Sequence, residues 1–251
     1  MEILGIDIGG SGIKGATVDL KKGELTAKRV RIATPQPSKP EAVARTVAKI
    51  VARFSWAGPI GCTFPAVVKK GVVYTAANVD SEWIGTNGRK LLQAETGCRV
   101  ELLNDADAAG IAEMNFGAGN GRKGTVLVLT FGTGIGSALF VDGRLMPNTE
   151  LGHLEILYGP QGGIEAEHYA SDLVRKRERL SWGEWAGRVD HLLGVLEALF
   201  SPDLFILGGG VSKKHPKYLP LLKTKTEVVP AQFLNDAGIV GAALAAKRLA
   251  R

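Results

Sequence analysis

Only two cysteines, Cys62 and Cys98, occur in the 251 residues. Their number and separation exclude a disulfide framework and a four-cysteine zinc site, which leaves packing as their role. Long apolar runs are also missing. No stretch approaches the roughly 20 residues needed to cross a bilayer, and the opening residues form a charged-flanked strand instead of a signal peptide, so a cytoplasmic protein is expected. The chain has no G-x-x-x-x-G-K-[ST] loop, and no H-R-D or D-F-G triplet of a protein kinase. It also has no recognisable nucleic-acid motif, so the formal charge of +6 points to a phosphorylated small molecule or a phosphate polymer. What is left is a chain 45% hydrophobic and 22% charged, long enough for two modest cores or one core divided by a cleft.

Two glycine-rich segments carry the strongest signal. In Ile6-Asp7-Ile8-Gly9-Gly10-Ser11-Gly12-Ile13-Lys14 and in Leu129-Thr130-Phe131-Gly132-Thr133-Gly134-Ile135-Gly136, an apolar strand breaks at glycines interleaved with a hydroxyl and then resumes as a second strand. Glycines let backbone N–H groups approach an anion, and Ser11 and Thr133 add side-chain donors, so the pair reads as a duplicated phosphate cradle. A dinucleotide fingerprint needs a helix to open at the third glycine. Here a β-branched run leading to Lys21-Lys22-Gly23 follows instead, which excludes that reading of Gly10-Ser11-Gly12-Ile13-Lys14-Gly15.

Further along, Pro40 opens an amphipathic helix to about Phe54, Ile60–Pro65 forms a short strand, and a helix near 89–96 precedes the strand Val100–Leu103. That strand runs straight into Asn104-Asp105 and an alanine-rich helix over about 105–115. A carboxylate at a helix N-terminus is held ionised by the helix dipole, and an ionised Asp beside a phosphate cradle suits a base that takes the proton of an attacking alcohol. Glu150-Leu151-Gly152-His153 and Glu167-His168 add carboxylates and an imidazole suited to a polyhydroxy ligand. A metal reading of Glu150, His153 and Glu155 fails for want of companions. A helix over about 183–200 leads to the strand Leu204–Leu207 and then to Gly208-Gly209-Gly210, a close approach for a flat base or another phosphate. Just beyond it, Lys213, Lys214, Lys217, Lys223 and Lys225 crowd thirteen residues, and the first three are candidates for a track along a long phosphate chain. Asn235-Asp236 is expected to cap a last helix running to Arg251.

Taken together, Asp7-Ile8-Gly9-Gly10, Asn104-Asp105-Ala106, Thr130-Phe131-Gly132-Thr133-Gly134, Glu150-Leu151-Gly152-His153 and Gly208-Gly209-Gly210 resemble the ROK family of sugar kinases and repressors, within the actin-like ATPase superfamily. The resemblance covers essentially the whole chain. It implies an α/β fold of two ribonuclease-H-like lobes flanking a cleft, with residues 1–106 and 238–251 in a smaller lobe and 107–237 in a larger one. Asp105 would be the catalytic base, and Asn78, Asn104, Glu150, His153 and Glu167 the sugar contacts. The donor phosphates would meet Asp7, Gly9, Gly10, Ser11, Gly12, Lys14, Thr130, Gly132, Thr133, Gly134 and the triple glycine, with Mg²⁺ placed by Asp7. Typical members carry a C-x-C-G-x-x-G-C zinc motif after the histidine. This chain has Tyr158-Gly159-Pro160-Gln161-Gly162-Gly163 there, so no zinc is expected. That loss, with Phe64-Pro65-Ala66, Asn78-Val79-Asp80, Leu180-Ser181-Trp182 and Asn235–Ala243, looks most like the polyphosphate glucokinases in the family. The implied substrates are glucose with inorganic polyphosphate or ATP, and the implied assembly is a homodimer. An ATP-only hexokinase for mannose, fructose or an amino sugar shares every motif. A non-catalytic sugar sensor fits less well, and no helix-turn-helix precedes Met1 to suggest a repressor.

Overall fold

In a computed structural model of the chain, residues 1–77, 79–159 and 162–250 are described. They divide into two compact units, Met1–Ala112 with Asp236–Arg251, and Glu113–Asn235.

The first unit begins with β1 (Glu2–Ile8), β2 (Ile13–Asp19), β3 (Glu24–Leu25) and β4 (Val30–Ile32), followed by α1 (Pro40–Arg53) and β5 (Ile60–Phe64). A small hairpin of β6 (Val68–Lys69) and β7 (Val72–Val73), then α2 (Gly88–Thr96), β8 (Val100–Asn104) and the start of α3 (Asp105–Phe116) complete its continuous part. The sheet order is β3-β2-β1-β5-β8, with β4 also on β2. β1 and β2 pair antiparallel, whereas β1, β5 and β8 run parallel. A parallel run must be covered on both faces, and its strands are accordingly mostly apolar, with Asp7, Thr63 and Asn104 placed toward their C-terminal ends. Helix α1 covers one face with Val43, Val47, Ile50 and Val51. The last helix, α7 (Ala237–Ala245), packs on β1, β2 and β5. Its sequence AGIVGAALA is small and apolar on every side, so it approaches the sheet at backbone distance. A methyl added at Gly61 of β5 would lie 1.8 Å from the Ala242 carbonyl oxygen, well inside van der Waals contact.

The second unit repeats the plan. β9 (Thr125–Phe131), β10 (Ile135–Val141) and β11 (Arg144–Met146) form a meander. After a two-stranded excursion of β12 (Glu155–Gly159) and β13 (Gly162–Glu165) come the helices α4 (Ala166–Ala170), α5 (Asp172–Arg177) and α6 (Trp182–Phe200), then β14 (Leu204–Gly209) and β15 (Glu227–Pro230). The sheet order β11-β10-β9-β14-β15 matches that of the first unit strand for strand. Trp185, Val189, Leu192, Leu193 and Leu196 of α6 bury against Leu127, Leu129, Phe205 and Leu207. A complete capping box starts α6, in which the Ser181 side chain and the Glu184 carboxylate each satisfy the other's backbone N–H.

Three expectations are corrected. The strand β14 extends through Gly209, because Gly208 and Gly209 continue the parallel ladder opposite Thr130 and Phe131, so only Gly210 lies beyond it. The last helix stops at Ala245 and tightens into a 3₁₀ turn over Ala246–Ala250. Asp236 does not cap it through its side chain, since that carboxylate accepts from Arg29 Nη1 at 2.6 Å instead. Cys62 and Cys98 are buried free thiols, and burial pushes the Cys62 thiol far above its ordinary value. Among the described residues no helix is long and apolar enough to cross a membrane.

Candidate active site

The turn between β1 and β2 has its carbonyls tied back. Thr34 donates its hydroxyl to the Gly9 oxygen, Gln36 Nε2 donates to Gly10 at 3.3 Å, and Arg31 Nη2 donates to Ser11 at 2.9 Å. With the peptide oxygens so engaged, the N–H groups of Gly10, Ser11 and Gly12 make no hydrogen bond among the described residues. Unused N–H groups on a glycine turn are what an anion can bind. Below the turn, Asp7 and Lys14 face each other in register, with Lys14 Nζ donating to Asp7 Oδ2 at 3.1 Å. Asp7 Oδ1 accepts from the Thr63 hydroxyl at 3.0 Å. The sequence pattern had not singled out Arg31, Thr34, Gln36 or Thr63.

The turn between β9 and β10 is one residue shorter. Gly132 N–H closes it on the Gly134 oxygen at 3.0 Å, while Leu173 N–H takes the Gly132 oxygen. Thr133 is exposed at the tip, and the Thr133 and Gly134 N–H groups are unused among the described residues. Glu167, the second residue of α4, leans onto this turn and accepts from Ile135 N–H through Oε2 at 3.3 Å. A Cβ on residue 134 would sit 2.3 Å from that carboxylate oxygen, so a side chain there would push Glu167 off the turn.

Glu150 and His153 flank the single turn Leu151–His153, which Ser137 Oγ fixes by accepting from Leu151 N–H at 3.0 Å. The fold brings the imidazole among three carboxylates. His153 Nδ1 is 2.9 Å from Glu165 and 3.9 Å from Glu167, and Nε2 is 3.9 Å from Glu150. The hydrogen bond to Glu165, helped by the charges of Glu167 and Glu150, holds His153 above its ordinary pKa despite partial burial. Burial likewise pushes the Glu150 carboxyl up, with His153 pulling the other way. The ligand atoms of His153, Glu165 and Glu167 lie within 4.8 Å of one another, so His153 does have companions of metal-ligand type, contrary to what sequence spacing suggested. A hairpin of β12 and β13 delivers them from twelve and fourteen residues away.

At the β8–α3 junction the two polar residues divide their work. Asn104, only 5% exposed, accepts through Oδ1 from the N–H groups of Ala106 at 2.8 Å and Asp107 at 3.1 Å, and its amide donates to the Ala66 oxygen. It is therefore the helix cap. Asp105, one residue on, is exposed and accepts from Ala106 N–H at 2.9 Å through Oδ1. Asn78 lies outside the described residues.

Beyond Gly210, the segment Ser212–Lys217 forms a 3₁₀ helix that leaves Lys213, Lys214 and Lys217 exposed. Lys213 lines a cavity of about 640 Å³ with Arg122, Ser212, His215, Ala231 and Gln232. Buried Glu113 holds two of its walls together, accepting from Ala118 N–H at 3.0 Å and from Gln232 and Phe233 N–H at 2.8 Å each. The cavity adjoins the triple glycine, since Ser212 Oγ donates to the Gly209 oxygen at 2.6 Å.

A profile of the ROK family matches residues 3–168. The chain belongs to the ROK family. It is 54% identical over 242 residues to the polyphosphate glucokinase of Mycobacterium tuberculosis H37Rv, covering 96% of this chain and 89% of that one. The crystal structure of the inorganic polyphosphate/ATP-glucomannokinase of Arthrobacter sp. strain KM superposes with a TM-score of 0.91 at 53% identity, over 97% of each chain. A ROK family glucokinase from Streptomyces griseus, solved with glucose and AMPPNP, gives 0.83 at 25% identity, over 99% of this chain and all of that one. As in these ROK structures, the fold is mixed α/β.

Proposed function

We propose that the chain transfers the terminal phosphoryl group of inorganic polyphosphate, or of ATP, to the 6-hydroxyl of glucose. The observation that carries this reading is the 54% identity, sustained over 96% of the chain, to a protein named polyphosphate glucokinase. Asp105 accepts the hydroxyl proton as the sugar oxygen bonds to phosphorus. The bond from phosphorus to the bridging oxygen breaks, and a polyphosphate one unit shorter, or ADP, leaves. Asn104 supports this role by capping the helix through its own side chain, which leaves Asp105 exposed at the first turn.

The N–H groups of the two glycine turns, with Thr133 and Lys14, hold the donor phosphates, and Thr130 with Gly208–Gly210 borders them. Glu150, His153 and Glu167 hold the sugar, with Asn104 and Asn78 as further contacts. Mg²⁺ neutralises donor charge when bound. Asp7 would hold it through its waters, because each Asp7 oxygen already accepts one protein hydrogen bond and a carboxylate offers about four acceptor sites in all. We read His153 as hydrogen-bonded and the protein as free of zinc, working in the cytoplasm as a homodimer. Lys213, Lys214 and Lys217, with the cavity beside Lys213, form the track for a long donor.

The test is steady-state phosphorylation of glucose with polyphosphate against ATP. Turnover with neither donor overturns the reading. Mannose is the second acceptor to measure, because the 53% identical Arthrobacter protein is named a glucomannokinase.

A further inference from the structure

His153 is held by its backbone but not, through its backbone, aimed. Ser137 fixes the turn that carries it, yet the side chain remains 42% exposed, and a histidine so exposed has several rotamers open to it. One contact removes that freedom. Glu165, at the end of β13 and the N-cap of α4, does not use its carboxylate as a cap; instead Oε2 lies 2.9 Å from His153 Nδ1. An ionised carboxylate can only accept, so Nδ1 carries the proton and the tautomer is decided by this bond. Nε2, on the far side of the ring, makes no hydrogen bond among the described residues; Glu150 Oε2 stands 3.9 Å from it. The groups facing the ring are Glu150, Glu165 and Glu167, and on the outer side His168, whose nitrogens lie 3.9 Å from Glu165 and 3.8 Å from Glu167. Glu167 is itself tied to Ile135 N–H, so Glu165 is the member whose hydrogen bond goes to the ring.

We propose that Glu165 is a positioning residue for the sugar: by fixing His153 Nδ1 it turns Nε2 toward a sugar hydroxyl. This rests on the reading of His153 as a sugar contact. Vicinal hydroxyls each give and accept a hydrogen bond, and Glu150 and Glu167 when ionised can only accept. With Nδ1 donating to Glu165, Nε2 of the neutral ring accepts from a sugar hydroxyl; it is the partner in this cluster whose polarity can be set, and Glu165 sets it.

The experiment compares the full chain with Glu165→Ala and Glu165→Gln, reading glucose and polyphosphate kinetics together with the ¹⁵N signals of the His153 ring. In the unsubstituted protein Nδ1 carries the proton. Glu165→Ala raises KM for glucose about tenfold, the scale of one lost hydrogen bond, with kcat at saturating glucose and KM for polyphosphate changed less than about threefold. It also mixes the two tautomers of His153. Glu165→Gln, whose amide oxygen still accepts from Nδ1–H, keeps the tautomer and recovers most of the glucose KM. Unchanged glucose KM in Glu165→Ala overturns the proposal. So does an equal loss of kcat and KM that glutamine fails to rescue, or a stoichiometric metal found by elemental analysis in place of the Nδ1 proton. The ring signals are read in the free protein, so they test Glu165 even if glucose proves not to be phosphorylated, an outcome that would instead sink the proposed reaction.

Discussion

The two glycine turns arise from the same strand order and the same seven-pair antiparallel ladder, yet their surroundings differ in sign. The turn after β1 is clamped by Arg31, Thr34 and Gln36 and has Lys14 beneath it. The turn after β9 has Glu167 against its backbone and Glu165 with Glu150 beyond. A duplicated scaffold has thus been given two chemistries by what packs behind it. Unused N–H groups over a lysine favour an anion, whereas a carboxylate that touches a turn suits a neutral ligand rich in hydroxyls beside an anion.

Asp105→Asn separates chemistry from both turns. It keeps side-chain shape and leaves each cradle intact, so kcat should fall by about 10²–10⁴ while glucose still binds, as measured by steady-state kinetics beside calorimetric titration. Turnover near the unsubstituted rate would return Asp105 to a structural role. The difference between the turns is tested next by Gly134→Ala and Gly132→Ala. The first forces a methyl against the Glu167 carboxylate, and the second meets nothing within 4 Å. KM for glucose should rise about tenfold in the first, the scale of one displaced hydrogen-bonding group, because the Glu167 carboxylate must leave the turn, and stay near normal in the second. Equal responses would erase the distinction drawn between the two turns.

Neutralising Lys213, Lys214 and Lys217 together should have a smaller, donor-selective effect. KM rises several-fold for long polyphosphate and little for ATP, and the gap closes at high salt because the attraction is a summed charge effect. A uniform effect on both donors would remove the track. The smallest signal is in stability against pH. His153 is held above its ordinary pKa in the folded protein, so its contribution is complete below about pH 6.5 and is lost as pH rises through the raised value. The Tm advantage of the unsubstituted protein over Glu165→Gln should therefore be largest at pH 6 and shrink toward pH 9. A gap that grows with pH would contradict the charge assignment.

Much of this was legible in the residues. The glycine turns announce themselves because a backbone that must approach an anion or a carboxylate leaves little choice but glycine, and Asn104-Asp105 because a strand-to-helix junction of two polar residues is unusual in an apolar context. Residues that act on the turns from elsewhere left no such mark. Arg31 sits in the three-residue β4 and Thr34 and Gln36 in the proline-rich connection after it, and their task is defined by carbonyls some twenty to twenty-six residues earlier. Glu165 was invisible for a related reason: its partner lies across a hairpin, and sequence spacing records no hairpin closure. The division between Asn104 and Asp105 also needed coordinates, since either residue type caps a helix equally well.

Helix α7 has a consequence for the order in which the molecule can be built. Residues 113–235 are contiguous and form a unit by themselves, while the first unit takes residues 237–245 from the far end of the chain. On a ribosome the sheet of β1, β5 and β8 emerges early with one apolar face uncovered, and the helix that covers it is made only after the second unit. The second unit is free to close during synthesis, whereas the first must wait with Gly61 and its neighbours open to water or to a chaperone. The unit begun first is therefore completed only after the one begun second.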